Sequence, residues 1–154
     1  MNTIRFLSII ILLLGLVGIA IGGAFVGRGI STNNQIAEAL RVENVTLGID
    51  TTEFQGQVID SMAEAEKAVS ILQEHRRGIA KTYGELLGSG RFDPANPTHL
   101  TYAQALNLEN YLYTAVIAFG VAQSIIANGA FMIATGLALI VVAFVIFKLI
   151  RKTG

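Results

Sequence analysis

The uncharged stretch from Asn110 to Phe147 constrains this chain more than any other feature of its sequence. It contains 38 consecutive residues without a charge, bounded by Glu109 and Lys148. A bilayer core of about 30 Å needs only about 20 helical residues at about 1.5 Å each. The stretch is therefore nearly twice as long as one membrane span requires, and we expect part of it to be covered by protein.

A second apolar block lies near the N-terminus, at residues 6–27. Because lipid offers no hydrogen bonds to the backbone, such blocks cross membranes as helices. The apolar region of a cleaved signal peptide has about 7–15 residues, whereas this block has 22, which favours an uncleaved anchor. The sequence thus predicts an all-α membrane protein with two transmembrane helices and a small, mainly helical extracytoplasmic domain between them.

The charges are segregated along the chain. All eleven acidic residues lie between the two apolar blocks together with seven basic residues, a net charge of −4. Basic flanks stay on the cytoplasmic side of a membrane, so both termini should be cytoplasmic in a two-span protein of the plasma membrane. Zero net charge argues against a nucleic-acid partner, and the absence of cysteine excludes disulfides and thiolate ligands. Four basic residues flank the termini: Arg5, Lys148, Arg151 and Lys152.

The charges also set the predicted boundaries. Arg5 and Arg28 enclose 22 residues, and the same number counted back from Lys148 begins at Ile126, close to the polar and flexible pair Asn128 and Gly129. The predicted segments are a cytoplasmic N-terminus at 1–5, a first span at 6–27, an extracytoplasmic domain at 28–109, an apolar helix outside or at the membrane edge at 110–128, a second span at 129–147, and a basic cytoplasmic tail at 148–154.

The middle of the chain shows one strong helical period, over residues 57–87, with apolar residues recurring from Val58 and Ile59 onward. Ser61 and Glu64 have the spacing of a capping box, although the apolar pattern begins before them. A glycine at position 78 predicts a break. After a loop containing both prolines, Thr101 is expected to cap a helix that begins near Tyr102.

Glycines in the first apolar block recur at four-residue spacing. Small residues four apart allow a second helix backbone to approach closely, and the second helix of the same chain is one candidate partner. The predicted helix-packing residues are Gly15, Gly18, Gly22, Gly23 and Gly27.

The surplus apolar segment at 110–128 predicts a second contact surface. A helix that is apolar all round is normally buried on more than one side, and an uncovered one is an aggregation hazard. A partner protein or a second copy would cover it; the alternative is a steeply tilted or bent helix with more of its length in lipid. The predicted partner-interface residues are Leu112, Val116, Phe119 and Ile126.

No pattern in the sequence predicts catalysis or cofactor binding. A metal site would require His75 and His99 to converge with Glu74 and Asp93, and none of these residues forms a recognised ligand spacing. The glycine clusters do not form a phosphate-binding loop, and neither span contains an acidic residue for an ion path. We therefore expect no metal, no cofactor and no enzymatic activity.

Three segments together resemble a group of small, uncharacterised two-helix membrane proteins of Actinobacteria and Chloroflexota-type bacteria. They are RVENVTLGID at 41–50, HRRGIAKTYGELL at 75–87 and YTAVIAFGVAQSIIANG at 113–129. The resemblance implies a bacterial plasma-membrane protein and transfers no activity.

The sequence as a whole predicts a non-catalytic accessory or structural subunit of a larger membrane complex or homo-oligomer. Its partners would be membrane lipids and other membrane protein subunits or further copies of itself. The alternative is a membrane-anchored binding protein for a lipid, a peptide or a quinone-like ligand.

Overall fold

The computed structural model describes residues 2–46 and 56–152, and every regular element in these residues is an α-helix. The helices are α1 (Asn2–Val42), α2 (Met62–Ile79), α3 (Tyr83–Leu87) and α4 (Pro97–Lys152). The predicted all-α fold is confirmed for the described part of the chain. By length and composition, α1 and α4 are also long and apolar enough to cross a membrane.

The chain divides into two compact units, and α1 and α4 supply residues to both. The hairpin unit comprises Met1–Thr32 and Val121–Gly154, and the middle unit comprises Asn33–Gly120. The polar residues after the first apolar block carry Ile36, Ala39 and Leu40 on one helical face, which predicts that the first helix continues outward. This prediction is confirmed, because α1 continues to Val42. The β-branched residues and glycines of 45–56 predict an extended or looping segment, most of which lies at 47–55, outside the described residues.

In the hairpin unit, the buried residues of α1 and α4 recur at intervals of seven. A seven-residue repeat keeps one narrow stripe of each helix facing its neighbour along the whole contact. Most large apolar side chains point away from this stripe; Phe131, for example, is 72% exposed. The stripe consists of Ser8, Gly15, Gly22 and Gly29 on α1, and of Ala122, Gly129, Gly136, Ala143 and Ile150 on α4.

The middle unit has a conventional side-chain core. One apolar face of α2 packs between α1 and α4, and small alanines on that face allow the helices to approach. The largest fully buried core side chains include Phe119, Leu112 and Leu40. Among the described residues, this core contains Leu40, Ile59, Ala65, Ala68, Val69, Leu72, Leu112, Ala115 and Phe119.

A complete capping box begins α2. The Ser61 hydroxyl accepts a hydrogen bond from the Glu64 amide, and the Glu64 carboxylate accepts one from the Ser61 amide at 3.1 Å. The expectation that the helical pattern includes Val58 and Ile59 was wrong. Val58 forms an isolated antiparallel bridge with Thr46, and Ile59 donates its amide to the Val45 carbonyl. Neither residue therefore belongs to the apolar face of a helix. Val58 forms the bridge, and Ile59 is buried in the core of the middle unit.

The predicted start of α4 was also wrong. The helix begins at Pro97, five residues before Tyr102. The Asn96 side chain accepts a hydrogen bond from the Thr98 amide at 2.9 Å, as an N-cap does. Pro97 then occupies the first helical position, where its missing N–H costs nothing. Thr101 lies inside the helix and donates its hydroxyl to the Pro97 carbonyl.

Candidate functional site

The closest approach of α1 and α4 in the hairpin unit occurs at two pairs of glycines. A Cβ atom placed on Gly22 would lie 2.6 Å from the carbonyl oxygen of Gly129. A Cβ atom placed on Gly15 would lie 2.7 Å from the carbonyl oxygen of Gly136. Because backbone atoms cannot move aside as a side-chain tip can, both positions require glycine at the observed separation.

The same contact continues to Gly29, where a Cβ atom would meet the Ala122 carbonyl at 2.9 Å and the Ile126 side chain at 2.5 Å. It is reciprocal, since a Cβ atom on Gly129 would lie 2.8 Å from the Val26 amide nitrogen. Bulky β-branched side chains on one helix thus pack over the glycines of the other. We call this contact, formed by the buried stripe defined above, the glycine seam.

The glycine seam fixes the antiparallel register of the two helices. Gly15, Gly22 and Gly29 lie against Gly136, Gly129 and Ala122. Every step of seven residues forward on α1 is thus matched by seven residues back on α4. One more step pairs Ser8 with Ala143, both of which are completely buried. The same register brings Arg28 level with Gln123.

The predicted helix-packing glycines occupy different environments. Gly15 and Gly22 lie in the seam, whereas a Cβ atom on Gly18 would make only ordinary contacts, the nearest at 3.5 Å. A Cβ atom on Gly23 or Gly27 would meet no heavy atom within 4 Å in the described part of the chain. The four-residue spacing therefore does not distinguish seam glycines from exposed ones. The seven-residue spacing from Gly15 through Gly22 to Gly29 does, and it is visible in the sequence.

The middle unit contains a buried ion pair that sequence reasoning did not find. Arg76 on α2 donates from Nε to a carboxylate oxygen of Glu109 on α4 at 2.7 Å. Its other guanidinium nitrogens donate to Glu109 and to the Tyr102 hydroxyl. The exposed fractions of these residues are 8% for Arg76, 4% for Glu109 and 1% for Tyr102. Gln73 adds a longer hydrogen bond to Glu109.

The arrangement leaves the buried charges of this site neutralised. The hydrogen bond that Arg76 donates to Glu109 is the largest influence on the pKa of the Arg76 guanidinium and raises it, against the opposing effect of burial. The guanidinium carbon also lies 5.1 Å from the centre of the Tyr102 ring, a cation–π geometry. This ion-pair site holds α2 against α4, and the Arg76 guanidinium makes structural contacts within the middle unit. In the sequence alone, the basic pair of EHRRG at 74–78 predicts stabilisation of a helix end, with lipid head groups or an acidic partner as alternatives; the ion pair with Glu109 is a different role.

The residues predicted to contact a partner are covered within their own chain to different extents. Leu112 and Phe119 are fully buried in the core of the middle unit, and Val116 packs against that core. Ile126 packs over Gly29 in the glycine seam. The exposed large apolar and aromatic residues of the surplus segment are others: Tyr111, Tyr113, Ile117 and Val121, which are 40%, 43%, 65% and 53% exposed.

The candidate metal ligands do not converge among the described residues, where no group of three or more His, Cys, Asp or Glu could hold an ion. His99 instead accepts a hydrogen bond from the Asp93 amide through Nδ1 and stacks on Phe92. His75 and Glu74 lie exposed on α2. His99 lies in the first turn of α4, and these contacts attach the loop around Phe92 and Asp93 to that turn.

Two open grooves flank the first half of α4. The larger has a volume of about 370 Å³ and is lined by aromatic and amide side chains, including Tyr83, Phe92, Asn107 and Asn110. The other, of about 350 Å³, is lined by residues that include Glu43, Leu108 and Tyr111. Both are open to solvent, unlike the enclosed clefts that bury most of a small ligand.

Comparisons with protein-family models, with curated proteins and with solved structures found no significant match to this chain. The likeness of its three short segments to two-helix bacterial membrane proteins therefore rests on those segments alone.

Proposed function

We propose that this chain is a non-catalytic accessory or structural subunit of a bacterial plasma-membrane assembly, either with other polypeptides or with copies of itself. It crosses the membrane twice, with both termini in the cytoplasm and the middle unit outside. One observation carries the proposal: the buried charges of the middle unit neutralise each other, while aromatic and aliphatic side chains on α4 remain exposed.

The surface of the hairpin unit supports a membrane location. Only 11% of the most apolar 18-residue stretch of each long helix is buried, whereas the core helix of a water-soluble protein would be mostly covered. Apolar side chains that face outward all round a helix pair are stable in lipid and a liability in water. The seam brings the two backbones into close contact at glycines, as is typical of helices that associate through packing in lipid, where the hydrophobic drive for association is absent.

The register of the seam supports a longer second span than the charge pattern suggested. Because Arg28 lies level with Gln123, the part of α4 that matches residues 6–27 begins near Ser124. Twenty-four residues from 124 to 147 extend about 36 Å at about 1.5 Å per residue, close to the hydrocarbon thickness of a bilayer. We therefore propose a second span at 124–147, with 110–123 outside the bilayer core.

The exposed residues of that outer segment form the proposed subunit interface. Tyr113 and Ile117 lie four residues apart and share one face of α4, and both are exposed in the middle unit. Partly exposed tyrosines beside an aliphatic residue are typical of protein interfaces. A helix of another subunit, or of a second copy, would cover this face.

Native mass measurement of the chain extracted in mild detergent tests the proposal. We expect a defined complex that Ile117→Gln weakens, because the substitution places an amide at the centre of the interface. Val42→Gln is the matched control, since Val42 is also exposed in the middle unit, at 72%, but lies on α1. A monomer in the wild type, or equal effects of the two substitutions, would contradict the subunit interface.

The larger groove is the one observation that favours the alternative of a binding protein. Its aromatic rings and two amides suit a flat ligand with polar edges, such as a quinone-like molecule. A monomer carrying a bound small molecule, lost on Asn107→Leu and retained in Val42→Gln, would favour this alternative over the subunit.

A further inference from the structure

The hairpin unit contains no acidic residue. Its two segments, 1–32 and 121–154, carry five basic side chains and no Asp or Glu. These cations therefore have no carboxylate side chain available within their own unit, in contrast to Arg76 and Arg41 of the middle unit, which are paired with Glu109 and Asp60.

The register of the glycine seam gathers four of the five cations at one end. Ser8 is matched with Ala143, so Arg5 lies level with residue 146, two positions from Lys148. The last turn of α4 adds Arg151 and Lys152. All four side chains are exposed. At the opposite end of the unit Arg28 is the single charged residue, level with the uncharged Gln123.

We propose that this basic end, formed by Arg5, Lys148, Arg151 and Lys152, binds the phosphate groups of anionic phospholipids. Clusters of four or more Lys and Arg beside a transmembrane helix are attracted to anionic headgroups. Lys148 and Lys152 are one helical turn apart with Arg151 between them, so their side chains project from neighbouring faces of α4. An arginine can grip a phosphate with two parallel hydrogen bonds.

The lipid is favoured over an acidic protein by continuity with the apolar surface. Lys148 lies about one helical turn after the outward-facing residues Phe144 and Val145, which are 63% and 53% exposed. A phospholipid whose acyl chains cover these residues would place its headgroup beside the basic end. This inference rests on the proposed membrane location, and the asymmetry of four cations against one predicts a preference confined to a single leaflet.

The test uses the full-length chain in nanodiscs of equimolar phosphatidylcholine and phosphatidylglycerol, which expose both faces of the bilayer. Native mass spectrometry of the released protein then counts the lipids retained. We expect phosphatidylglycerol to be retained over phosphatidylcholine by at least about tenfold, because each basic residue near an anionic surface strengthens attraction about fivefold. High salt should reduce the preference.

A quadruple variant removes the basic end: Arg5→Gln, Lys148→Gln, Arg151→Gln and Lys152→Gln. The matched control removes the same charge from exposed positions of the middle unit: Lys67→Gln, Arg77→Gln, Lys81→Gln and Arg91→Gln. The first variant should lose the preference and the control should keep it. Equal retention of the two lipids by the wild type, or a preference that survives the first variant, would overturn the site.

Failure of the membrane location gives a different result. A wild-type chain that stays in solution without detergent and does not enter nanodiscs would overturn both the membrane proposal and the lipid site. A chain that enters nanodiscs with no lipid preference would overturn the lipid site alone.

Discussion

Gly22 and Gly129 lie so close that a Cβ atom on either would come within 2.6 Å of the carbonyl oxygen of the other. Two helices can approach to this extent only where neither carries a side chain. The pair sits near the middle of a seam that repeats every seven residues, so it determines the separation and the register of the hairpin unit together. Substitutions along the seam therefore test the fold position by position.

Gly22→Ala should destabilise the hairpin unit by about 1–3 kcal/mol, because the added methyl group overpacks a backbone contact. Gly18→Ala is the matched control in the same helix: its nearest contact would be an ordinary 3.5 Å, so its effect should stay within about 0.5 kcal/mol. Denaturant titration in mild detergent measures both. Equal effects would show that the seam does not set the helix separation.

A double-mutant cycle on Gly22→Ala and Gly129→Ala should show that the two glycines act together. Once one methyl group has forced the helices apart, the second meets a contact that has already widened. The double variant should therefore lose at least about 0.5 kcal/mol less than the sum of the two single losses. Strict additivity would mean that the two glycines do not face each other.

The buried ion pair gives a third prediction. Glu109→Ala leaves the Arg76 guanidinium buried without its carboxylate, which should cost about 3–5 kcal/mol of stability. Replacing both partners, as Arg76→Met with Glu109→Leu, should recover most of that loss. Arg77→Ala, at the exposed neighbour, is the control and should change stability by less than about 0.5 kcal/mol. A double variant as unstable as Glu109→Ala would contradict a simple charge-burial cost.

The pH dependence of this pair follows from the direction of the arginine shift. Since Glu109 raises the pKa of Arg76, the stabilisation is fully present below the unfolded pKa and is lost only as pH rises through the higher folded value. Raising pH from about 7 to about 10 should therefore leave the contribution of Arg76 unchanged. The same denaturant titration, compared between the wild type and the double variant, checks this.

The contribution of the α2 capping box to the stability of the chain should also be measurable. Ser61→Ala removes the hydroxyl that accepts a hydrogen bond from the Glu64 amide. The free energy of unfolding should fall by about 1 kcal/mol. Ser70→Ala is the control, because Ser70 is exposed in the interior of the same helix, where alanine is the better helix former. A Ser61→Ala variant as stable as the wild type would show that the cap contributes nothing in the intact chain.

The sequence was sufficient to predict helices in both apolar blocks and in the middle of the chain, because apolar periodicity and the breaks at glycine and proline are local signals. It was insufficient for Arg76 and Glu109, which are 33 residues apart and carry no shared local pattern. The sequence did not separate the seam glycines from the other glycines of the first helix for another reason. Membrane helices contain glycine at many spacings, and only the agreement between a seven-residue repeat in α1 and one in α4 singles out the contacting set.

The surplus length of the uncharged stretch leads to the last prediction. Leu112 and Phe119 form part of the core of the middle unit, which accounts for apolar residues beyond the length of one span. With the second span proposed at 124–147, residues before Gln123 should be accessible to water wherever the chain itself does not cover them. The Ile117→Cys and Val121→Cys variants, separated from any partner subunits and reconstituted in lipid, should therefore react with a membrane-impermeant thiol reagent. The native side chains at these positions are 65% and 53% exposed. A cysteine at Phe131, which is 72% exposed but inside the proposed span, should not react.

Positions such as Ala115 and Ala122 are unsuitable for this labelling test, since burial within the chain would protect them in any topology. Protection of the cysteines at Ile117 and Val121 in the separated chain would place this segment in lipid and contradict the boundary set by Arg28 and Gln123.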